Sequence, residues 1–357
     1  VNCTYLNGNE VIEGGISRIK DVNIIPSPYL NGILDEFFEL PLAPLIETTR
    51  GCPFSCTFCA DGLSHKNKVV VFNTDRVRDE IYYIAERIKN IDQVYMADLN
   101  FGMYKKDVET AQIFAKVQKK FNWPARIIAP AGKNMPERII KTSDYLKGSW
   151  ITGLAIQSSD PEVLKNIKRS NISVEAYAEY STYIKNLDKN ALIYTEIILG
   201  LPGDTKEKYF NSLRYAIDNR ATKIKSFQCM LLTGTEMASQ ETRNKYKLVG
   251  KFRIGAGGVG VYKFGEEATP VAEIHEIIVA SKDMSFDDHV SCRIMQLLLE
   301  AYYNQSQFEE IFAAIKMMGL TEFDLLSYIH EHNELYTPKV KEIINKYVSA
   351  LKDNLYD

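Results

Sequence analysis

Between about Ala43 and Leu232 the chain alternates short apolar runs with amphipathic helical stretches, a new pair arriving roughly every 30 to 45 residues. Such alternation gives parallel strands, because a parallel neighbour is reached only through a long connection and a helix fills it. The runs predict strands at Ala43–Thr48, Gln93–Ala97, Ala125–Ile128, Trp150–Ile156, Leu192–Leu199 and Ile224–Leu232. Asn73-Thr74-Asp75 is an N-cap signal for a helix with Val77, Ile81, Ile84 and Ile88 on one face. Further helices are expected over Lys106–Lys120 and after Pro136, Pro161 and Asp204-Thr205, the last turning Tyr209, Phe210, Leu213 and Ile217 inward. Six βα units of this kind suit either a barrel or an open doubly wound sheet.

Both architectures bind ligands at the C-terminal ends of their strands, and the unusual residues fall there. Arg50-Gly51-Cys52-Pro53-Phe54-Ser55-Cys56-Thr57-Phe58-Cys59 follows the first strand, and Asp98-Leu99-Asn100-Phe101-Gly102 the second. Gln157-Ser158-Ser159-Asp160 follows the fourth, Gly200-Leu201-Pro202-Gly203 the fifth and Leu232-Thr233-Gly234-Thr235 the sixth.

Cys52, Cys56 and Cys59 form a C-x3-C-x2-C array on one loop. Three thiolates there suit three irons of a cubane cluster, with the fourth iron left open. The rival readings are a zinc site or buried thiols. Zinc normally takes four N/S ligands in two pairs, whereas Cys3, Cys229 and Cys292 are scattered singly and His65 is the one nearby imidazole. A disulfide framework does not suit six cysteines in 357 residues with three crowded together.

The cysteine array, with Phe58 directly before its third member, resembles the radical S-adenosylmethionine (SAM) superfamily. Ile25-Pro26-Ser27-Pro28-Tyr29-Leu30-Asn31-Gly32, Leu34-Asp35 and Ile46-Glu47-Thr48-Thr49-Arg50-Gly51-Cys52 together resemble the linker and cluster loop of members that carry a cobalamin-binding domain upstream. The resemblance implies a partial (β/α)6 TIM-type barrel, a [4Fe-4S] cluster on Cys52, Cys56 and Cys59, and SAM bound through the open iron. Electron transfer from the cluster then cleaves SAM to a 5′-deoxyadenosyl radical that takes hydrogen from an unactivated carbon. It implies a small-molecule or peptide substrate, an electron donor such as flavodoxin or ferredoxin, and, through an upstream domain, cobalamin for C-methylation or a related step. A radical methylthiotransferase is the neighbouring enzyme class, and a non-catalytic iron–sulfur or zinc protein the alternative outside enzymes.

The resemblance also suggests roles for single residues. Phe58 would lie beside the adenine, or be a core ring. Asp98 and Asn100 occupy the place of a Gly-Gly-Glu-type motif that binds the SAM amino group, or make a turn with side-chain-to-backbone bonds. Gln157 and Ser158 stand where relatives contact the ribose or carboxylate. Arg169 resembles a carboxylate-pairing arginine, or is a surface arginine. Gly200 and Pro202 would let the backbone approach the adenine, or form a tight βα connection.

A net charge of −3 offers no basic surface for nucleic acid, and no apolar run approaches the eighteen or so residues of a membrane span. A reducing cytosol is the expected setting, since cluster thiolates do not survive oxidation. The chain begins at Val1, so its true N-terminus is expected upstream. Residues 1–42 read as a strand and linker segment with Asn7-Gly8-Asn9 as a turn, 43–235 as the barrel, and 236–357 as a glycine-rich hairpin followed by a mainly helical domain.

Gly255-Ala256-Gly257-Gly258-Val259-Gly260 satisfies G-x-G-x-x-G, but Val261 to Phe264 alternates like a strand and no helix follows, so the run predicts a β-turn or hairpin, stopped by Pro270. Beyond it the pattern turns helical: an apolar stretch over Glu273–Ala280, then helices over Val290–Asn304 (capped by Asp287 or Asp288), Phe308–Met318, Glu322–His332 and Pro338–Leu355. His330 and His332 read as exposed residues at a helix end, because i and i+2 do not share a helix face.

Overall fold

The computed structural model describes residues 2–151, 153, 155–171, 173–187 and 193–357. The chain divides into two compact units: one runs up to Ser55 and resumes over Asp61–Ile151, the other takes Cys56–Ala60 with Thr152–Asp357.

The first unit opens on a hairpin of β1 (Thr4–Asn7) and β2 (Glu10–Glu13), turned at Gly8. Next come β3 (Leu45–Ile46), β4 (Thr49–Arg50) and β5 (Val70–Val71), the last two paired antiparallel. α1 (Thr74–Ala85), β6 (Gln93–Met96), α2 (Lys105–Phe121), β7 (Arg126–Ile128), α3 (Pro136–Leu146) and β8 (Trp150–Ile151) complete it. β3, β6, β7 and β8 make one parallel sheet in that order. The amphipathic pattern dictates the packing: α1 buries Val77, Ile81 and Ile84, α2 buries Ala111, Phe114 and Val117, and the strands between contribute Val94 and Ile127. Each such large side chain contributes about 1.5–3 kcal/mol on burial. Asn73 caps α1 by accepting from the Asp75 N–H at 2.8 Å, as its sequence predicts.

In the second unit, α4 (Pro161–Asn166) and α5 (Val174–Leu187) precede β9 (Tyr194–Leu199), α6 (Lys206–Asp218) and β10 (Lys223–Gln228). β9 and β10 run parallel, Tyr194 opposite Lys223. α6 buries Tyr209, Leu213 and Ile217 as its spacing predicts. α7 (Gln240–Tyr246) leads into a long antiparallel ribbon of β11 (Val249–Phe264) and β12 (Glu267–Ala280). The chain then turns helical through α8 (Phe286–Leu298), a π-helical continuation Leu299–Tyr303, α9 (Glu309–Met317), α10 (Glu322–Glu331) and α11 (Pro338–Asp353).

Several expectations are corrected. The fourth strand is regular only over Trp150–Ile151; Gly153 and Gln157 then form isolated parallel bridges to Tyr194 and Ile197 of β9. Thr152 and Leu154 of that expected strand, and Leu192 of the fifth, lie outside the described residues. α5 was not anticipated, although Tyr177, Tyr180 and Ile184 recur at helical spacing and are buried. The glycine run is an irregularity inside β11, where the register slips between Ile254 and Val259, and the turn itself is at Gly265-Glu266. Pro270 does not stop the ribbon, because a two-stranded ribbon has edges on which a missing N–H costs no ladder bond. Glu273–Ala280 is strand, and the cap of α8 is Ser285, with Asp288 returning the bond in a capping box. His330 is half-buried: its Nε2 faces the Ser291 carbonyl at 3.0 Å and its ring stands edge-on to Phe210.

Candidate functional site

In the first unit, β3 leads through the short β4 into the cysteine loop. Gly51 makes the turn at φ +97°, and a Cβ there would lie 2.4 Å from the Lys68 carbonyl, so only glycine fits. Cys52 is buried, and the Asn100 amide donates to its sulfur at 3.4 Å. Asn100 follows β6, and its Oδ1 is buried without a partner. Asp98, two residues earlier and 0 % exposed, is fully engaged: it accepts from the Thr48 N–H at 2.8 Å, the Thr48 hydroxyl at 2.5 Å and the Thr49 hydroxyl at 2.7 Å. Burial holds its carboxyl above the ordinary range, and the threonine bonds pull it partly back. The Asp98 side chain therefore ties the end of β3 to the end of β6.

Cys56 and Cys59 belong to the second unit. Cys56 is buried, Cys59 half-buried, and the Cys59 N–H donates to the Cys56 carbonyl at 3.1 Å. Between them, Thr57 donates its N–H to Ile167 at the end of α4 and accepts from the Met237 N–H at 3.0 Å, and Phe58 packs on the apolar cluster of Val163, Leu201, Cys229 and Ile278. None of the six cysteines is in a disulfide.

Gln157 and Arg169 also lie in the second unit. Gln157 sits at φ +63°, a left-handed conformation rare outside glycine, with its backbone bonded to Glu196 and Ile198 and its Oε1 buried without a partner. Ser158 is occupied, accepting from the Asp160 N–H at 3.1 Å and meeting Ser212. Arg169 is no surface arginine: it is 6 % exposed, reaches the Ala155 carbonyl and donates to Asn171 at 2.8 Å. Asn171 in turn donates to the carbonyls of Ile156 and Ser158, so this pair braces the segment that presents Gln157. Gly200 turns at φ +87°, and the Pro202 carbonyl accepts from Asn166 at 3.1 Å.

Asp107 and Asp204 are buried carboxyl groups outside the expected site residues, Asp204 being expected only at a helix start. Asp107 is the N3 residue of α2 and accepts from the Tyr104 N–H at 2.8 Å; burial first, then the charge of Asp98, raises its pKa to about 7. Its signal was the capping-box spacing from residue 104. Asp204 precedes the true cap of α6, Thr205, and burial raises it to about 8 against the N–H groups of Gly200 and Thr205.

Residues 46–216 match the radical SAM superfamily. This chain carries a radical SAM domain. It is 29% identical over 303 residues to the 2-(S-pantetheinyl)-carbapenam-3-carboxylate methyltransferase of Streptantibioticus cattleyicolor, covering 80% of this chain and 42% of that one. It is 32% identical to the cobalamin-dependent radical SAM methyltransferase TokK of Streptomyces tokunonensis over 57% of this chain and 30% of that one. A ribosomal protein uS12 methylthiotransferase RimO from Thermosipho melanesiensis is more distant, 24% identical over 51% of this chain and 43% of its own. The chain thus spans less than half the length of these curated relatives. Among solved structures, the cobalamin-dependent SAM radical enzyme OxsB aligns over 98% of this chain and 51% of its own at 14% identity, TM-score 0.54. The fold class is that of the partial (β/α)6 TIM-type barrel with a C-terminal mainly helical domain, and two of these proteins, TokK and OxsB, are cobalamin-dependent.

The residues fit the cofactors this family uses. Three thiols within eight residues are the donor set of a cluster with one open iron, although among the described residues no three His, Cys, Asp or Glu side chains, these cysteines included, stand gathered as a metal site. Thr57 Oγ1, Asn100 Oδ1 and Gln157 Oε1 are buried polar atoms without partners. Each such orphan costs about 1–3 kcal/mol unless a ligand satisfies it, and an amide oxygen accepts from ammonium or hydroxyl donors. Among the described residues no helix is long and apolar enough to cross a membrane.

Proposed function

We propose that this chain is the radical-generating part of a cobalamin-associated enzyme that methylates an unactivated carbon of a small-molecule or peptide substrate in a reducing cytosol. The observation that carries the reading is the cysteine loop at the end of β3, with the Asn100 amide aimed at the Cys52 sulfur. The similarity to the carbapenam methyltransferase and to TokK supports methyl transfer. A bound [4Fe-4S] cluster, fed by a donor such as flavodoxin or ferredoxin, supplies the electron that opens the SAM sulfonium.

The chain's own residues hold and orient. Cys52, Cys56 and Cys59 would hold the cluster by three of its irons. Asn100 donates to the Cys52 sulfur, which lowers the electron density there, and offers Oδ1 to the SAM amino group. Gln157 offers Oε1 to the ribose or carboxylate. Phe58, Gly200 and Pro202 shape the adenine side, while Asp98, Ser158 and Arg169 fix the strand ends on which the contacting groups stand. Asp98 and Arg169 are thus positioning residues, because their polar atoms bond Thr48, Thr49, Ala155 and Asn171.

The test is anaerobic reconstitution followed by iron and sulfide counting, electron paramagnetic resonance with and without SAM, and assay of 5′-deoxyadenosine. About four irons, a spectrum that changes on adding SAM and release of 5′-deoxyadenosine are expected. Zinc in place of iron, or a cluster indifferent to SAM, overturns the proposal.

A further inference from the structure

Far along the chain from the cysteine loop, the second unit encloses a cavity of about 480 Å³ bounded by β10, β11, β12, α8 and α11. That volume lies in the range of small-molecule sites, about 300–1,000 Å³. Its walls are sorted. Phe286, Val290, Leu351 and other apolar side chains form most of the lining, whereas Arg253, His289 and Arg293 supply the basic groups and Tyr347 and Tyr356 the phenols. Among the described residues no lining side chain is aspartate or glutamate.

The charge here has no internal answer. Arg253 projects from β11 and is half-buried, and its guanidinium pKa is lowered, first by burial and then by the charge of Arg293. Arg293 has its Nε buried without a partner, and its guanidinium otherwise meets only neutral groups, the Gln296 amide and, at 5.9 Å, the Tyr347 ring. Among the described residues neither guanidinium is in an ion pair. His289 is 4 % exposed, its Nδ1 has no partner, and its ring lies parallel to that of Phe286. Phe286, His289, Val290 and Arg293 recur at i, i+3, i+4 and i+7, so one face of α8 presents all four to the cavity. Two buried-edge guanidinium groups without a counter-ion are costly in isolation, and an unpartnered imidazole in the same wall adds to that cost.

We propose that this cavity binds a small organic molecule with an anionic head, carboxylate or phosphate, and an apolar body. The head is held by Arg253 and Arg293, whose planar forks match either anion. His289 Nδ1 makes the third polar contact, and the body lies along Phe286, Val290 and Leu351. The inference stands on these residues and does not rest on the reaction proposed above.

Isothermal titration of the full chain with octanoate and with octyl phosphate, against 1-octanol and inorganic phosphate, tests it. At least one octyl anion is expected to bind with a Kd below about 1 mM, and the octanol and phosphate controls about tenfold more weakly. Arg253→Gln and Arg293→Gln are each expected to weaken the anion about tenfold. Which octyl anion binds better distinguishes carboxylate from phosphate. Octanol binding as well as octanoate, an affinity unchanged by Arg253→Gln, or no binding by either anion overturns the proposal. Arg253 lies on the half-exposed ribbon, so its variant carries the test even where Arg293→Gln fails to fold.

Discussion

At the end of β3 the buried Asp98 carboxylate accepts three bonds from Thr48 and Thr49, whereas in the cavity between α8 and α11 Arg253 and Arg293 meet no carboxylate. Both regions place charge out of water. In the first, hydroxyls and a backbone N–H neutralise it locally, so the charged group is part of the frame and the open valence near it is the neutral Asn100 amide oxygen. In the second, the charge itself is what remains open. A region of the first kind is rigid before any ligand arrives; one of the second kind is electrostatically incomplete until one does.

The largest expected effect separates the two regions outright. Cys52→Ala, Cys56→Ala or Cys59→Ala should each reduce 5′-deoxyadenosine formation to the uncatalysed background while leaving octanoate titration unchanged; turnover surviving in any of them removes the cluster assignment. Next, Asp98→Ala strips the partner from three donors and should lower stability by about 2–4 kcal/mol in urea melts. Arg253→Gln, by relieving an uncompensated charge, should leave stability unchanged or raise it. If both variants destabilise alike, the contrast between a frame charge and an open charge is wrong.

pH sharpens the same contrast. The folded chain keeps His289 neutral down to about pH 4, against 6.5 for an unburied imidazole, because of burial and then the two arginines. Between those values the unfolded chain binds the extra proton, so stability is lost as pH falls from 6.5 toward 4, and His289→Gln should flatten that loss. Asp204 acts in the other direction. Its carboxyl titrates at about 8 when folded and 3.8 when free, so the folded chain keeps a proton that the unfolded one releases. Stability therefore falls as pH rises through that window, and Asp204→Asn should remove the fall, on the order of a few kcal/mol. The smallest effect belongs to charge left in water: Lys168→Ala, breaking the exposed pair with Glu236, should change stability by less than about 1 kcal/mol.

The cysteine end of the molecule was legible because its chemistry is written locally. Cys52, Cys56 and Cys59 fall within eight residues, and the βα alternation announced the strands whose ends carry Asn100 and Gln157. What spacing could not express was how each polar side chain is used. Asp98 and Asn100 look equivalent in sequence, yet one is saturated by threonines fifty residues away and the other is not. The cavity was invisible for a related reason: Arg253, His289 and Arg293 come from a ribbon and a helix, and no motif links them. The ribbon itself was half legible, since alternation from Val261 to Phe264 was read as strand while Pro270 was taken for a stop that an edge position does not enforce.

Gln157 carries a consequence for any attempt to stabilise this protein. Its φ of +63° suits glycine, and holding a side chain there costs about 1 kcal/mol before the orphaned Oε1 is counted. Selection for heat resistance alone therefore has an easy move at this position, Gln157→Gly, that raises the melting temperature and discards the amide. Variants chosen by thermal screening are the ones in which turnover should be measured first, because on the proposed role of Gln157 durability and ligand affinity draw on the same residue in opposite directions.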